Sequence, residues 1–259
     1  MFLVFNKQKI CTYVVLLADV VLLFSAATIF DKYQEENVVP TSNLNSKFLP
    51  IYNVQTNENK VAFTMNCAWN ADDIDNILEI LEQNNVKITF FIVGSWIDKY
   101  PEEVKKISKA GHEIASHSDT HPHVNNLSYE KNINEIEKSN EKIKAITGKR
   151  TSIYRTPYGE YNDVVIKAAI DKGYYTIQWS IDTLDYTGLN GEEMWNRIDS
   201  KIKKGDIILS HNGTQHTAES LDMLIKNIKE KGFEIVTVSE LIYKDDYNIN
   251  SAGTQVKNK

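Results

Sequence analysis

The chain has 259 residues, 42% hydrophobic and 25% charged, which suits one globular domain with additional segments. Its formal net charge of -6, with no basic face evident, argues against nucleic acid as a partner. Only two cysteines occur, Cys11 in an apolar segment and Cys67 in the globular part, so the fold rests on its core and not on disulfides.

In chain order, residues 1–9 carry Lys7 and Lys9 and read as a cytoplasmic N-terminus. Residues 10–30 form an apolar run whose one charge is Asp19. A membrane span needs roughly 20 mostly apolar residues. Basic residues before it place the N-terminus inside and the rest outside. The expectation is a signal-anchor and a single-pass protein of the cell membrane with its domain outside. Ser25-Ala26-Ala27 offers a cleavage site, which would give a secreted protein instead. The apolar run is longer than a usual signal core, and this favours the anchor. Asp19 weighs against both readings, since a charge at mid-bilayer costs about 2.5–3.5 kcal/mol on insertion scales. Residues 31–59, rich in Asn, Ser, Gln and Glu, read as a linker.

From residue 60 to 243 one unit recurs: a short β-type run, a polar cluster, an amphipathic helix, then usually glycine. The first helix shows Ile74, Ile77, Leu78 and Leu81 on one stripe, with Asp72 and Asp73 in its first turn, where carboxylates suit the positive helix end. Gly111, Gly148, Gly173, Gly205 and Gly232 close later helices. The expected strands are 61–64, 88–93, 113–116, 152–155, 176–181, 206–210 and 234–238. Alternating β and α elements imply a parallel sheet, closed as a (β/α) barrel or open and doubly wound. Residues 244–259 read as a polar tail.

Asn66, His117, Arg155, Asp182 and His211 all fall at or just past the C-terminal end of a β run. In a parallel barrel those ends converge on the face that carries chemistry. Polar residues also mark where any strand stops, which explains each cluster singly better than it explains all of them. "SHSDTH" sets His117 and His121 four apart, a spacing that on a helical turn suits a metal. His123 reads as a rim residue and His112, before its strand, as structural. Arg155 in "YRTPYG" suits a forked pair of hydrogen bonds to a carboxylate. The turn after it would expose backbone N–H groups to an oxyanion. In "WSIDTLDY" and "LSHNG", Asp182 is the expected carboxylate that holds His211 as a general acid. Trp179 reads as core, or as a wall of the site. A glycosidase using Asp182 and Asp185 is disfavoured. Two carboxylates three residues apart at one strand end seldom straddle a scissile bond, which needs roughly 5–9.5 Å.

Together, "SHSDTH", "RTPYG", "DTLDY" and "LSH" resemble the second to fifth motifs of the polysaccharide deacetylase (NodB-homology) family, carbohydrate esterase family four, over residues 60–243. The resemblance implies an α/β fold, a distorted (β/α) barrel with about seven parallel strands. It implies metal-assisted removal of N-acetyl groups from a polysaccharide, here peptidoglycan of the cell wall, with a divalent metal such as zinc. By the same resemblance His117 and His121 bind the metal, His211 is the acid, Asp182 its partner, and Arg155 holds the base. Tyr158 lends a backbone N–H to the oxyanion, and Leu209 and Trp179 wall the acetate pocket. His216 resembles a histidine of one branch, with no role attached.

The family's first motif departs. Asn66 and Cys67 stand where it carries two aspartates, a base and a metal ligand. Asp72 matches an acid that a related branch uses as the third ligand. Cys67 as a thiolate ligand is weighed well below Cys67 as a buried hydrophobe. An amide has no usable basicity, and a positioned base is worth about 10²–10⁴ in rate. Two functions stay open: an impaired deacetylase, or a wall-binding pseudoenzyme on the same fold.

Overall fold

The computed structural model describes residues 48–258. The expected segments 1–9 and 10–30, Cys11 and most of the linker lie outside the described residues. Among the described residues, no helix is long and apolar enough to cross a membrane.

The core follows from period-two alternation on strands flanked by helices. On β2 (Lys60–Cys67), Val61, Phe63, Met65 and Cys67 pack outward into the cluster beneath the helices, while Ala62 joins a second, inner cluster. The same split holds on β3 (Thr89–Ile92), with Phe90 outward and Phe91 inward, and on β4 (Glu113–Ser116), with Ile114 outward and Ala115 inward. On β8 (Ile207–His211), Ile208 faces the helices and Ile207 the interior. Continuing the alternation turns Thr64, Asn66, Leu209 and His211 inward.

All strands of this sheet run parallel. Their order is β6-β5-β4-β3-β2-β8-β7, where β5 is Ile153–Tyr154, β6 Tyr175–Thr176 and β7 Ile181–Asp182. A further strand, β9 (Glu234–Val236), pairs with β2. The result is a curled half-barrel. In register, Asn66 stands beside His211 and Phe91, and Leu209 beside both Thr64 and Asp182.

The expected strand 176–181 is in fact two strands at opposite ends of the sheet. The stretch between them crosses the open seam: Gln178 N donates to Ile51 O at 2.8 Å and Ser180 N to Ile207 O at 3.0 Å. Its β propensity is satisfied by two different partners. Residues 244–259, expected as a polar tail, hold β10 (Tyr247–Ile249) and β11 (Thr254–Lys257), which form a three-stranded sheet with β1 (Asn53–Val54).

Gly205 joins the two sheets. Its carbonyl accepts Val54 N at 2.9 Å and its N–H donates to Lys60 O at 2.7 Å. At φ +86°, an added Cβ would meet Val54 O at 1.8 Å. Gly205→Ala is therefore expected to destabilise by about 2 kcal/mol, from left-handed strain and overpacking together, read as a lower urea midpoint with m unchanged.

Candidate active site

Arg155 organises the interior of the rim. It follows β5, is fully buried, and its guanidinium lies 3.8 Å from the Phe91 ring centroid and 5.6 Å from that of Trp179. Nη1 donates to Thr64 Oγ1 at 2.9 Å and Asn66 Oδ1 at 3.0 Å. Nη2 donates to Gln178 O at 3.1 Å and Nε to Ile177 O at 3.4 Å. Every one of these acceptors is neutral, and burial pushes the guanidinium pKa down to about 9. Asn66, 6% exposed, thus spends its amide oxygen on Arg155, and its Nδ2 lies 3.5 Å from His211 Nε2.

His117 and His121 meet as expected, with ring centroids 4.8 Å apart and the planes near perpendicular. The spacing does not come from a helix. Ser118 and His121 both take positive φ, and Glu135 Oε2 accepts Asp119 N at 3.0 Å and Thr120 N at 2.8 Å. Ser118 Oγ accepts His121 N at 3.0 Å. His117 Nδ1 lies 3.0 Å from Arg155 O, so that nitrogen carries the proton and Nε2 keeps a lone pair. Burial lowers both imidazole pKa values, which favours the neutral, ligating form.

The third expected ligand is not in place. Asp72 is exposed, and its amide N–H turns to Asn70 Oδ1 at 3.4 Å. The neighbouring Asp73 points inward instead, accepting Asn212 Nδ2 at 3.1 Å and Gly213 N at 2.7 Å. Cys67 is wholly buried under the helices, where burial raises its thiol pKa well above normal. Among the described residues, no three His, Cys, Asp or Glu side chains gather to hold a metal ion. Two imidazoles fall short of the three protein ligands that a catalytic zinc takes. The set His117, His121 and Asp72 is corrected to the histidine pair alone.

The carboxylate that holds His211 is Asp185 and not Asp182. Leu184 takes a left-handed conformation at φ 54°, so the chain folds Asp185 back over β8. Asp185 Oδ1 lies 2.8 Å from His211 Nδ1. Its Oδ2 accepts His211 N at 2.6 Å and Thr217 Oγ1 at 2.7 Å. Asp182 Oδ1 only closes a local turn, accepting Leu184 N at 2.8 Å. Asp185→Asn is expected to cost about 1–2 kcal/mol, because the amide cannot match every donor the carboxylate serves. A urea titration measures it.

Two residues escaped sequence reasoning. Trp69, 48% exposed, lies 5.2 Å from the His211 ring at 32°, and Tyr186, 41% exposed, lies 5.3 Å away, edge-on. Their signal was available: each is a large aromatic directly beside a rim motif. On the other flank Tyr158, 54% exposed and at φ 56°, sets its ring edge-on to His121 at 4.5 Å. It stacks on His123 at 4.4 Å, and His123 Nδ1 is held by Glu160 Oε1 at 2.7 Å. Leu209 is buried, and Trp179 packs partly buried against the inner cluster. His112 is structural as expected: Nδ1 accepts Ile88 N at 3.2 Å and burial pushes its pKa down to about 4. His216 Nδ1 meets Glu219 Oε1 at 2.5 Å where the helix Thr217–Glu230 begins.

The sequence and the fold are similar to those of known proteins. The polysaccharide deacetylase family model matches residues 53–177. An uncharacterized protein, YlxY of Bacillus subtilis, is 36% identical over 82% of this chain and 68% of its own. A peptidoglycan-N-acetylglucosamine deacetylase of Bacillus cereus is 31% identical over 71% of this chain and 69% of its own. Among solved structures, BA3943 of Bacillus anthracis, described as a CE4 family pseudoenzyme, is 34% identical with a TM-score of 0.72, covering 81% of this chain and 71% of that one. A mutant of BA3943, described as having restored enzymatic activity, has the same TM-score and identity and covers 81% of this chain and 73% of that one.

Proposed function

The chain belongs to the polysaccharide deacetylase family, and we propose that it binds N-acetylated peptidoglycan glycan at the strand-end rim without deacetylating it. One observation carries the reading: the buried Arg155 guanidinium closes on the Asn66 amide, where a base would have to be a carboxylate. The metal donor set, short by one, points the same way. The silence of a similar fold in BA3943 is consistent with it.

What remains suits recognition. His117, His121, Tyr158 and His123 form a run of touching rings on one flank, and Trp69, His211 and Tyr186 another. Rings pack against the C–H faces of pyranoses while phenol, indole and imidazole offer polar edges. Asn66 Nδ2 and His211 Nε2, 3.5 Å apart, would serve as partners for an acetamide. Residues 10–30 would hold this surface outside the membrane.

The test pairs binding with turnover on the same material. Purified peptidoglycan and N-acetylglucosamine oligomers should be retained, with no acetate released when zinc, cobalt or manganese is added. Metal-dependent acetate release by the natural chain would overturn the reading, and so would failure to bind any wall polymer. Trp69→Ala and Tyr186→Ala should each weaken binding about 5–30-fold, equivalent to about 1–2 kcal/mol, in calorimetric titration. The second reading, a slow deacetylase, is favoured by the intact His211–Asp185 pair, and the same acetate assay decides between them.

A further inference from the structure

A fully buried guanidinium that touches only neutral acceptors needs a counter-charge somewhere, since an isolated buried ion is severely penalised. Among the described residues, no carboxylate forms an ion pair with Arg155, and two buried carboxylate oxygens are left without a hydrogen-bond donor: Glu160 Oε2, whose other oxygen holds the exposed His123, and one in the strand row that carries the partners of Arg155. The latter is Asp182 Oδ2. Ile181 packs outward among the helices, so the alternation on β7 turns Asp182 inward. Its neighbour in register is Leu209, whose other neighbour is Thr64, one of the groups that Arg155 Nη1 bonds. Asp182, Leu209 and Thr64 therefore form one cross-sheet row, a layer below Asn66 and His211.

We propose that Asp182 supplies, across the barrel interior, the negative charge that balances buried Arg155 in place of the carboxylate missing at position 66. The charge is not needed for the local turn, because the Leu184 N–H is served by Oδ1 alone. Burial raises the Asp182 carboxyl above its usual range against the opposing pull of the Leu184 N–H, His211 and Arg197, while Asp182 in turn favours the charged form of Arg155. The competing partner is Arg197, whose Nε donates to the Asp182 backbone carbonyl at 3.1 Å. Arg197 is partly exposed, so its attraction is screened by solvent. Arg155 has no such screening. The pairing explains how the Arg155 cross-brace persists, and with it the orientation of the Asn66 amide toward His211.

Asp182→Asn removes the charge and keeps an oxygen for Leu184, so it isolates the electrostatic role. It should lower the melting temperature of the natural chain by about 5–10 °C at pH 7. With Asn66→Asp present, a carboxylate sits directly against Arg155, and the loss from Asp182→Asn should fall to less than half. Arg197→Gln should shift melting by no more than about 2 °C. Equal losses in both backgrounds, or no loss in the natural chain, would overturn the proposal. Should the Asn66→Asp background not fold, Arg155→Met replaces it, and there Asp182→Asn should cost nothing or stabilise. A persisting full loss in that background assigns the Asp182 charge to another partner.

Discussion

Arg155→Ala is expected to lower the unfolding free energy by about 4–6 kcal/mol, the largest effect of any single change near the rim. The side chain bonds β2 through Thr64 and Asn66, and the seam crossing through the Ile177 and Gln178 carbonyls. Truncation leaves four acceptors without their donor, each worth about 1 kcal/mol net, and empties volume beneath Phe91 and Trp179. Arg155→Met separates the contributions. It fills the volume but offers no N–H to the four acceptors, so they stay unpaired as in the alanine variant. Methionine should therefore recover only the cavity share, less than half of the alanine loss. Urea unfolding at pH 7 with equal m-values for the three proteins measures this. An alanine loss below about 2 kcal/mol would mean that the seam carbonyls find other donors.

The same side chain shows how far the sequence could be read. Short apolar runs after glycine-closed helices announced a parallel α/β fold, and the residues at their ends were enough to bring Asn66, His117, Arg155 and His211 to one rim. Strand parity also decided Cys67, which faces the helices because Asn66 faces the interior. What depended on single backbone angles was not legible. The left-handed turn at Leu184 selects Asp185 over Asp182, and nothing in "DTLDY" distinguishes them beforehand. A one-residue difference in loop direction turns Asp73 inward and leaves Asp72 in solvent. The run 176–181 looked like one strand because each half pairs with a different neighbour, and pairing partners are not written in a local pattern. The last two strands were hidden for a related reason. Their burial is partial, so their alternation is weak.

Asn66→Asp should stabilise the fold at pH 7 by about 1.5–4 kcal/mol while leaving acetate release at background. A carboxylate 3 Å-class from a guanidinium has its pKa lowered by about 1–3 units, each worth about 1.4 kcal/mol. The new acid would occupy a site only 6% exposed, where the buried charge of Arg155 meets no anion in contact. The sign follows from proton counting. With its folded pKa below the unfolded value of about 3.9, the unfolded chain binds more protons in the window between the two. The gain is thus complete above about pH 5 and is lost as pH falls through the folded pKa. Urea unfolding of both proteins at pH 7, 5 and 3 should show their midpoints converging toward acid. A variant less stable than the natural chain at pH 7 would mean that the more distant Asp182 charge already suffices for Arg155 and that the added acid is an uncompensated burial. Turnover is a separate matter. The aspartate restores a base beside His211, but the donor set around His117 and His121 remains two imidazoles, one short of what a catalytic zinc takes. Acetate release from Asn66→Asp in the presence of zinc would show that a third donor reaches the pair on binding the ion, and would move the natural chain from recognition alone to an enzyme disabled at one atom.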